Sequence, residues 1–242
     1  MHSIQPVWWD LIPLVLLCTG MPLLAALVTI PRIRALSAQE QDKIRPRLYA
    51  SAMLNQWMFA LAALLPWLLR DEPLAAIGLK LPERWWLYAL AGTLIVAVSL
   101  VVQRRKFKAS VDGAELVAQQ LKGAAFIIPR TQREVSLWAL VCLHAGLCEE
   151  LLYRGWLFAL ARALMPDWAA ALAVTAAFGL AHMYQGAKGV VQTAVVGAIF
   201  LLLAWASDSL WLPMAAHALF DWHSGTLGRW AMYGNHERAN PT

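Results

Sequence analysis

The chain has 242 residues, of which 60% belong to the hydrophobic set and only 14% are charged, and its mean hydropathy is +0.53. Covering a water-facing surface takes about a quarter of the residues as charges, so a soluble globular class is excluded and a membrane protein is expected. The net charge of +5 does not imply nucleic acid. The basic residues cluster between apolar segments, where they mark topology and meet anionic lipid headgroups, and no stacking platform or groove-reading helix accompanies them.

At about 20 apolar residues per crossing, the length leaves room for six to eight helices. Seven apolar segments follow in order, at 8 to 29, 48 to 69, 85 to 102, 136 to 160, 168 to 186, 189 to 207 and 209 to 224. The last is short and carries ionisable groups. Pro31 and Arg32 are expected to end the first, Arg70 to Pro73 the second, Arg104 to Lys108 the third, and Pro166 with Asp167 divides the fourth from the fifth. Trp8, Trp9, Trp85, Trp86 and Trp168 stand where segments begin, at headgroup level. The connector 109 to 130 mixes Val111, Leu116, Val117, Leu121, Ala124 and Phe126 with polar residues and reads as an amphipathic helix on the cytoplasmic face, or as an eighth span.

Seven spans with the N-terminus outside place 15 Lys and Arg inside and 4 outside, so the C-terminus is expected in the cytoplasm. Residues 1 to 7 lack Lys and Arg, and no clear cleavage site follows the first apolar run, so no removable signal peptide is expected. Cys18, Cys142 and Cys148 all lie in apolar stretches without a CxxC spacing, which supports neither a disulfide framework nor a thiolate zinc knuckle.

Ionisable residues inside spans cost roughly 2.5 to 3.5 kcal/mol each, so where they occur is informative. The first three segments hold only Asp10 near an end and the neutral Asn55 and Gln56. The second half holds His144, Glu149, Glu150 and Arg154, then His182, then His217, Asp221 and His223. Glu150 and Arg154 are four apart with the acid first, the favoured ion-pair order on a helix face. Glu149 lies about 100° around the helix and lacks an obvious local partner, which leaves it able to take a proton from water. A purely structural network of the same residues is the plain alternative. His182 shares a face with Phe178, and His217 with Asp221 and Ser224.

Together, Glu149-Glu150-x-x-x-Arg154, Phe178-x-x-x-His182 and His217-x-x-x-Asp221, each in its own apolar helix and in this order, resemble the CAAX-protease and bacteriocin-processing family of intramembrane proteases. The resemblance covers about residues 136 to 224. It implies an all-α, polytopic transmembrane bundle divided into N-terminal helices and connector (1 to 134), a four-helix catalytic core (135 to 226) and a cytoplasmic tail (227 to 242). It also implies that Glu149 activates water beside His182, that Glu150 and Arg154 support that base, and that His217 with Asp221 stabilises the oxyanion. Many relatives have Asn in place of Asp221. An ionised carboxylate cannot donate, so Asp221 is expected to orient His217.

A metal-free glutamate mechanism is the reading favoured by the resemblance, with a zinc ion held among Glu149, His182 and His217 as the alternative; no HExxH is present. The expected partner is a membrane-anchored protein or peptide in the bilayer, namely a sorting anchor, a leader or a lipidated tail, cleaved in a bacterial inner membrane. A non-catalytic scaffold or immunity protein of the same fold, and a proton-coupled transporter, are the rival functions. By rise per residue, Glu149 and His217 lie well inside the apolar layer and His182 nearer its cytoplasmic boundary, a mismatch that tilt, a break near Gly146 or different span ends would reconcile. Gly186, Gly189 and Gly197 are expected to permit close helix packing, and Tyr233, His236 and Arg238 to lie in a solvated tail.

Overall fold

A computed structural model describes residues 7–81 and 85–239, with side chains for all of these except Trp85, Ala89 and 235–239. The readings made for residues 1–6, for Trp85 as an interfacial ring, and for His236 and Arg238 lie outside the described residues or side chains. The described residues form eight helices and no strand: α1 (Trp8–Ala35), α2 (Ala38–Leu69), α3 (Trp85–Ala109), α4 (Gly113–Gln120), α5 (Gln132–Leu164), α6 (Asp167–Ala181), α7 (Ala187–Ser207) and α8 (Trp211–Ala239). The protein is an all-α polytopic helical bundle.

Trp8–Ala35, Ala38–Leu69, Trp86–Ala109, Gln132–Leu164 and Ala187–Ser207 are long and apolar enough to cross a bilayer. The 15 residues of α6 reach only about 22 Å, short of a 30 Å hydrocarbon layer. Leu27, Leu61, Ile95, Leu202 and Trp205 are among the many large apolar side chains that face outward. In lipid, such a surface is the favoured one.

Pro31 does not end the first helix. Two stretches of π-helix, Leu16–Gly20 and Ala25–Thr29, each stand just before a proline, Pro22 and Pro31. A proline removes one N–H and crowds the carbonyl four residues back; widening the helix there relieves the crowding, and the spiral continues to Ala35. Likewise α3 runs through its basic residues to Ala109, because Arg and Lys are good helix formers. Capping boxes start α2 and α5. Ser37 Oγ accepts from the Glu40 N–H while Glu40 accepts from the Ser37 N–H, and Thr131 and Glu134 repeat the exchange.

The connector between α3 and α5 is short helix α4 followed by a 3-10 turn, Lys122–Ile127. Of its expected apolar face, Val117 and Phe126 are buried, whereas Val111 and Leu116 are exposed. The connector is pinned by Arg45, counted above as a loop charge but here entirely buried. Arg45 donates to the Phe126 carbonyl at 3.2 Å and to Glu134 at 3.1 Å, and pairs with Asp42 at 2.8 Å. It thus joins α2 to the start of α5.

Helix α8 passes residue 226 without a break. Leu227 and Gly228 are buried, and Arg130 lies 4.7 Å from the Tyr233 ring centroid, so the first part of the expected tail is packed helix. Nor does α5 break near Gly146. An added Cβ there would meet the Met214 carbonyl at 2.5 Å and Ala218 N at 3.0 Å, so this glycine lets α5 and α8 approach closely.

Candidate active site

Helices α5, α6 and α8, with contributions from α2 and α7, bring the acid and histidine groups together. Glu149 and Glu150 end the regular part of α5, and a π-helical stretch, Leu151–Leu157, follows at once with all seven side chains buried. Such widened turns often occur where a helix must aim side chains that a regular spiral would not.

Glu150 is fully buried, and its Oε1 serves two partners. Arg154 Nη1 donates to it at 2.8 Å, and His217 Nδ1 donates at 2.7 Å from α8. The Glu150 and Arg154 pair therefore holds His217, whereas the sequence reading had it supporting Glu149. Arg154 also donates through Nη2 to the Gly197 carbonyl of α7 at 2.8 Å, and its guanidinium carbon lies 4.0 Å from the Phe178 ring centroid. The chemistry of a buried ion pair depends on such extra partners, because desolvation of two charges otherwise exceeds their attraction.

His217 is buried between three carboxylates. Its Nε2 lies 3.4 Å from Asp221 Oδ2 and 3.9 Å from Glu149 Oε2. Ionised carboxylates only accept, so the ring is placed as a donor at both nitrogens. Phe200 stacks on it at 4.8 Å and 21°, and Phe178 meets it edge-on at 5.9 Å.

Glu149 is the less constrained of the two adjacent glutamates. Gln56 Nε2 donates to its Oε1 at 3.4 Å, while Oε2 has no hydrogen-bond partner. Its side chain is 20% exposed, against 0% for Glu150, although the Oε2 atom itself is buried.

His182 caps the C-terminal end of α6, and its Nδ1 lies 2.9 Å from the Phe178 carbonyl. A carbonyl only accepts, so Nδ1 carries the proton of that bond, and in the Nδ1–H tautomer Nε2 is an acceptor. No hydrogen bond joins His182 to Glu149. The two histidines instead share a neighbour, since the Phe178 ring lies 5.0 Å from His182 and 5.9 Å from His217. Tyr184 flanks His182 at 6.0 Å; desolvation pushes its hydroxyl up to about 12, so it stays neutral.

Three contributors were not read from the sequence as part of the site. Gln56 was visible as one of two neutral polar residues in the second apolar segment, and polarity within a span was the available signal. The aromatic Phe200 and the Gly197 carbonyl gave none. Gly197 acts as expected: a Cβ there would come within 2.7 Å of Phe178 and 2.8 Å of Arg154. At Gly186 no atom lies within 4 Å of a Cβ position, so its φ of +87° at the start of α7, not packing, explains the residue. Ser224 donates to its own helix at the Phe220 carbonyl. Among the described residues no three His, Cys, Asp or Glu side chains are arranged to hold a metal ion. Glu149, His182 and His217 do not fit one as placed.

The fold and this cluster define a polytopic membrane protein with carboxylates and imidazoles gathered inside its helices. Residues 131–223 match the family model described as Rce1-like, the type II CAAX prenyl endopeptidases, in agreement with the CAAX-protease and bacteriocin-processing family that the residue pattern resembles. The match indicates a protease, and it runs from the cap of α5 to the middle of α8, taking in every acid and histidine of the cluster and leaving Gln56 outside. No curated protein and no solved structure matched the chain.

Proposed function

We propose that the chain is an intramembrane endopeptidase in which Glu149 activates water against a peptide bond of a membrane-associated substrate. The observation that carries this reading is the buried Glu149 Oε2 atom, an acceptor without a hydrogen-bond partner that faces His217 Nε2 at 3.9 Å; substrate binding must open this contact to admit the attacking water. Glu149 takes a proton from that water, and the hydroxide adds to the scissile carbonyl carbon. The carbonyl oxygen becomes an oxyanion and meets the N–H of His217, whose ring Glu150 and Asp221 orient. The proton then passes from Glu149 to the departing amine as the C–N bond breaks, leaving a carboxylic acid and an amine.

His182 binds the attacking water through Nε2, the acceptor left when Nδ1 donates to Phe178. A sorting anchor, leader or lipidated tail suits a site flanked by lipid-facing helices. The cluster of basic residues at the α1–α2 turn and the α3–α5 connector favours a cytoplasmic placement of that end of the bundle. The protein in detergent, incubated with membrane-anchored peptides, is expected to release two fragments, and the Glu149→Gln and His182→Ala variants to release almost none. Undiminished cleavage by both variants would refute the mechanism.

A further inference from the structure

Helices α3 and α8, with Val135 of α5, line an open groove of about 690 Å³ on the side of α8 away from His217. Its lining residues Leu219, His223, Thr226 and Trp230 lie roughly 180° to 240° around the helix from His217 at 100° per residue, so it is separate from the acid and histidine cluster. The walls change character along their length. Ala97, Leu100, Val101, Leu219 and Trp222 make one end apolar, and Arg104, Lys108 and Arg229 make the other basic, with no carboxylate in the lining.

The basic end is built. Arg104 donates one N–H to Thr226 Oγ1 at 3.1 Å, which fixes the guanidinium while leaving further donors, and Lys108 lies 5.6 Å from the Trp230 ring centroid. An apolar slot between membrane helices that ends in fixed cations is complementary to an acyl chain bearing an anionic headgroup. Its volume also falls in the range of small-molecule sites. A soluble anion would use the cations and leave the apolar walls in contact with water, whereas a zwitterionic lipid would offer no net charge to match them.

We propose that this groove binds one anionic phospholipid, its phosphate at Arg104 and Lys108 and an acyl chain along Ala97, Leu100, Val101 and Leu219. The test is native mass spectrometry of the purified full chain in detergent with phosphatidylglycerol or phosphatidylcholine added. A single phosphatidylglycerol adduct is expected, with apparent affinity reduced roughly thirtyfold in the double variant R104Q/K108Q, both residues being at the half-exposed or exposed end of α3. Ala97→Trp, which fills the apolar end without touching the charges, is expected to abolish the adduct. Elution and melting like those of the wild type show that each variant is folded. An adduct equally strong in R104Q/K108Q, or equally strong with phosphatidylcholine, would overturn the proposal. Displacement by inorganic phosphate alone would reassign the cations to a soluble anion and overturn it as well.

Discussion

His217 and Glu150 meet across the α5–α8 interface through a hydrogen bond of 2.7 Å, and the same Glu150 oxygen receives Arg154 at 2.8 Å. One buried carboxylate oxygen thus connects three helices, because Arg154 continues to the Gly197 carbonyl of α7. Removing it by Glu150→Ala strands a buried guanidinium. A loss of about 3 to 5 kcal/mol of stability is expected, read as a lower midpoint of thermal unfolding in detergent. Glu150→Gln keeps an acceptor and should lose less. A midpoint unchanged in Glu150→Ala would show that the pair carries no structural load.

Gln56 reaches the proposed base from outside the matched segment. If its single 3.4 Å hydrogen bond positions Glu149, Gln56→Ala should lower kcat roughly tenfold with little change in KM, and Gln56→Glu should lower it further by setting a second carboxylate against the first. Steady-state kinetics on a membrane-anchored peptide separates the two parameters. A rise in KM alone would place Gln56 in substrate binding instead.

Gly197 and Gly20 form a matched pair of alanine substitutions. A Cβ at Gly197 intrudes on Phe178 and Arg154, while at Gly20 it would meet the Leu16 side chain at 3.6 Å, an ordinary contact. Gly197→Ala is expected to cost about 1 to 3 kcal/mol and to lower activity by moving Arg154, whereas Gly20→Ala should be neutral or slightly stabilising. Denaturation followed by tryptophan fluorescence compares them.

Gly186 makes a different demand. Its φ of +87° disfavours any side chain although the space is open, so Gly186→Ala is expected to cost about 1 to 2 kcal/mol and to displace the turn Met183–Gln185 that follows His182. Hydrogen exchange at residues 182–186 should rise. If exchange there stays at the wild-type level, the glycine's conformation is dispensable.

The sequence carried the helices and most of the cluster because both rest on signals that a single residue emits. An apolar run reports a span, and a carboxylate or imidazole inside it reports a place where lipid must be excluded. Glu149, Glu150, Arg154, His217 and Asp221 were legible for that reason. The partner of Glu150 was not, since spacing along α5 shows Arg154 four residues on but nothing of His217 on α8. The first helix runs past Pro31, where π-helical widening absorbs the proline, and α8 runs past the expected span end at 224, where Gly228 sits against Leu121 and Ile128 and holds the tail to the bundle. Arg45 was counted as a topological charge because its burial comes from the connector folding over it.

The widened turn at Leu151–Leu157 has one more effect. A helix that accommodates a surplus residue in one turn can shed it: deleting a single position between Leu151 and Leu157 would let that stretch rewind to the tighter spiral with Phe158–Leu164 close to its present azimuth, whereas the same deletion in the regular part of α5 would turn everything beyond it by about 100°. The seat of α6 at the far end of α5 therefore tolerates the loss of one residue inside the widened turn and not elsewhere along the helix.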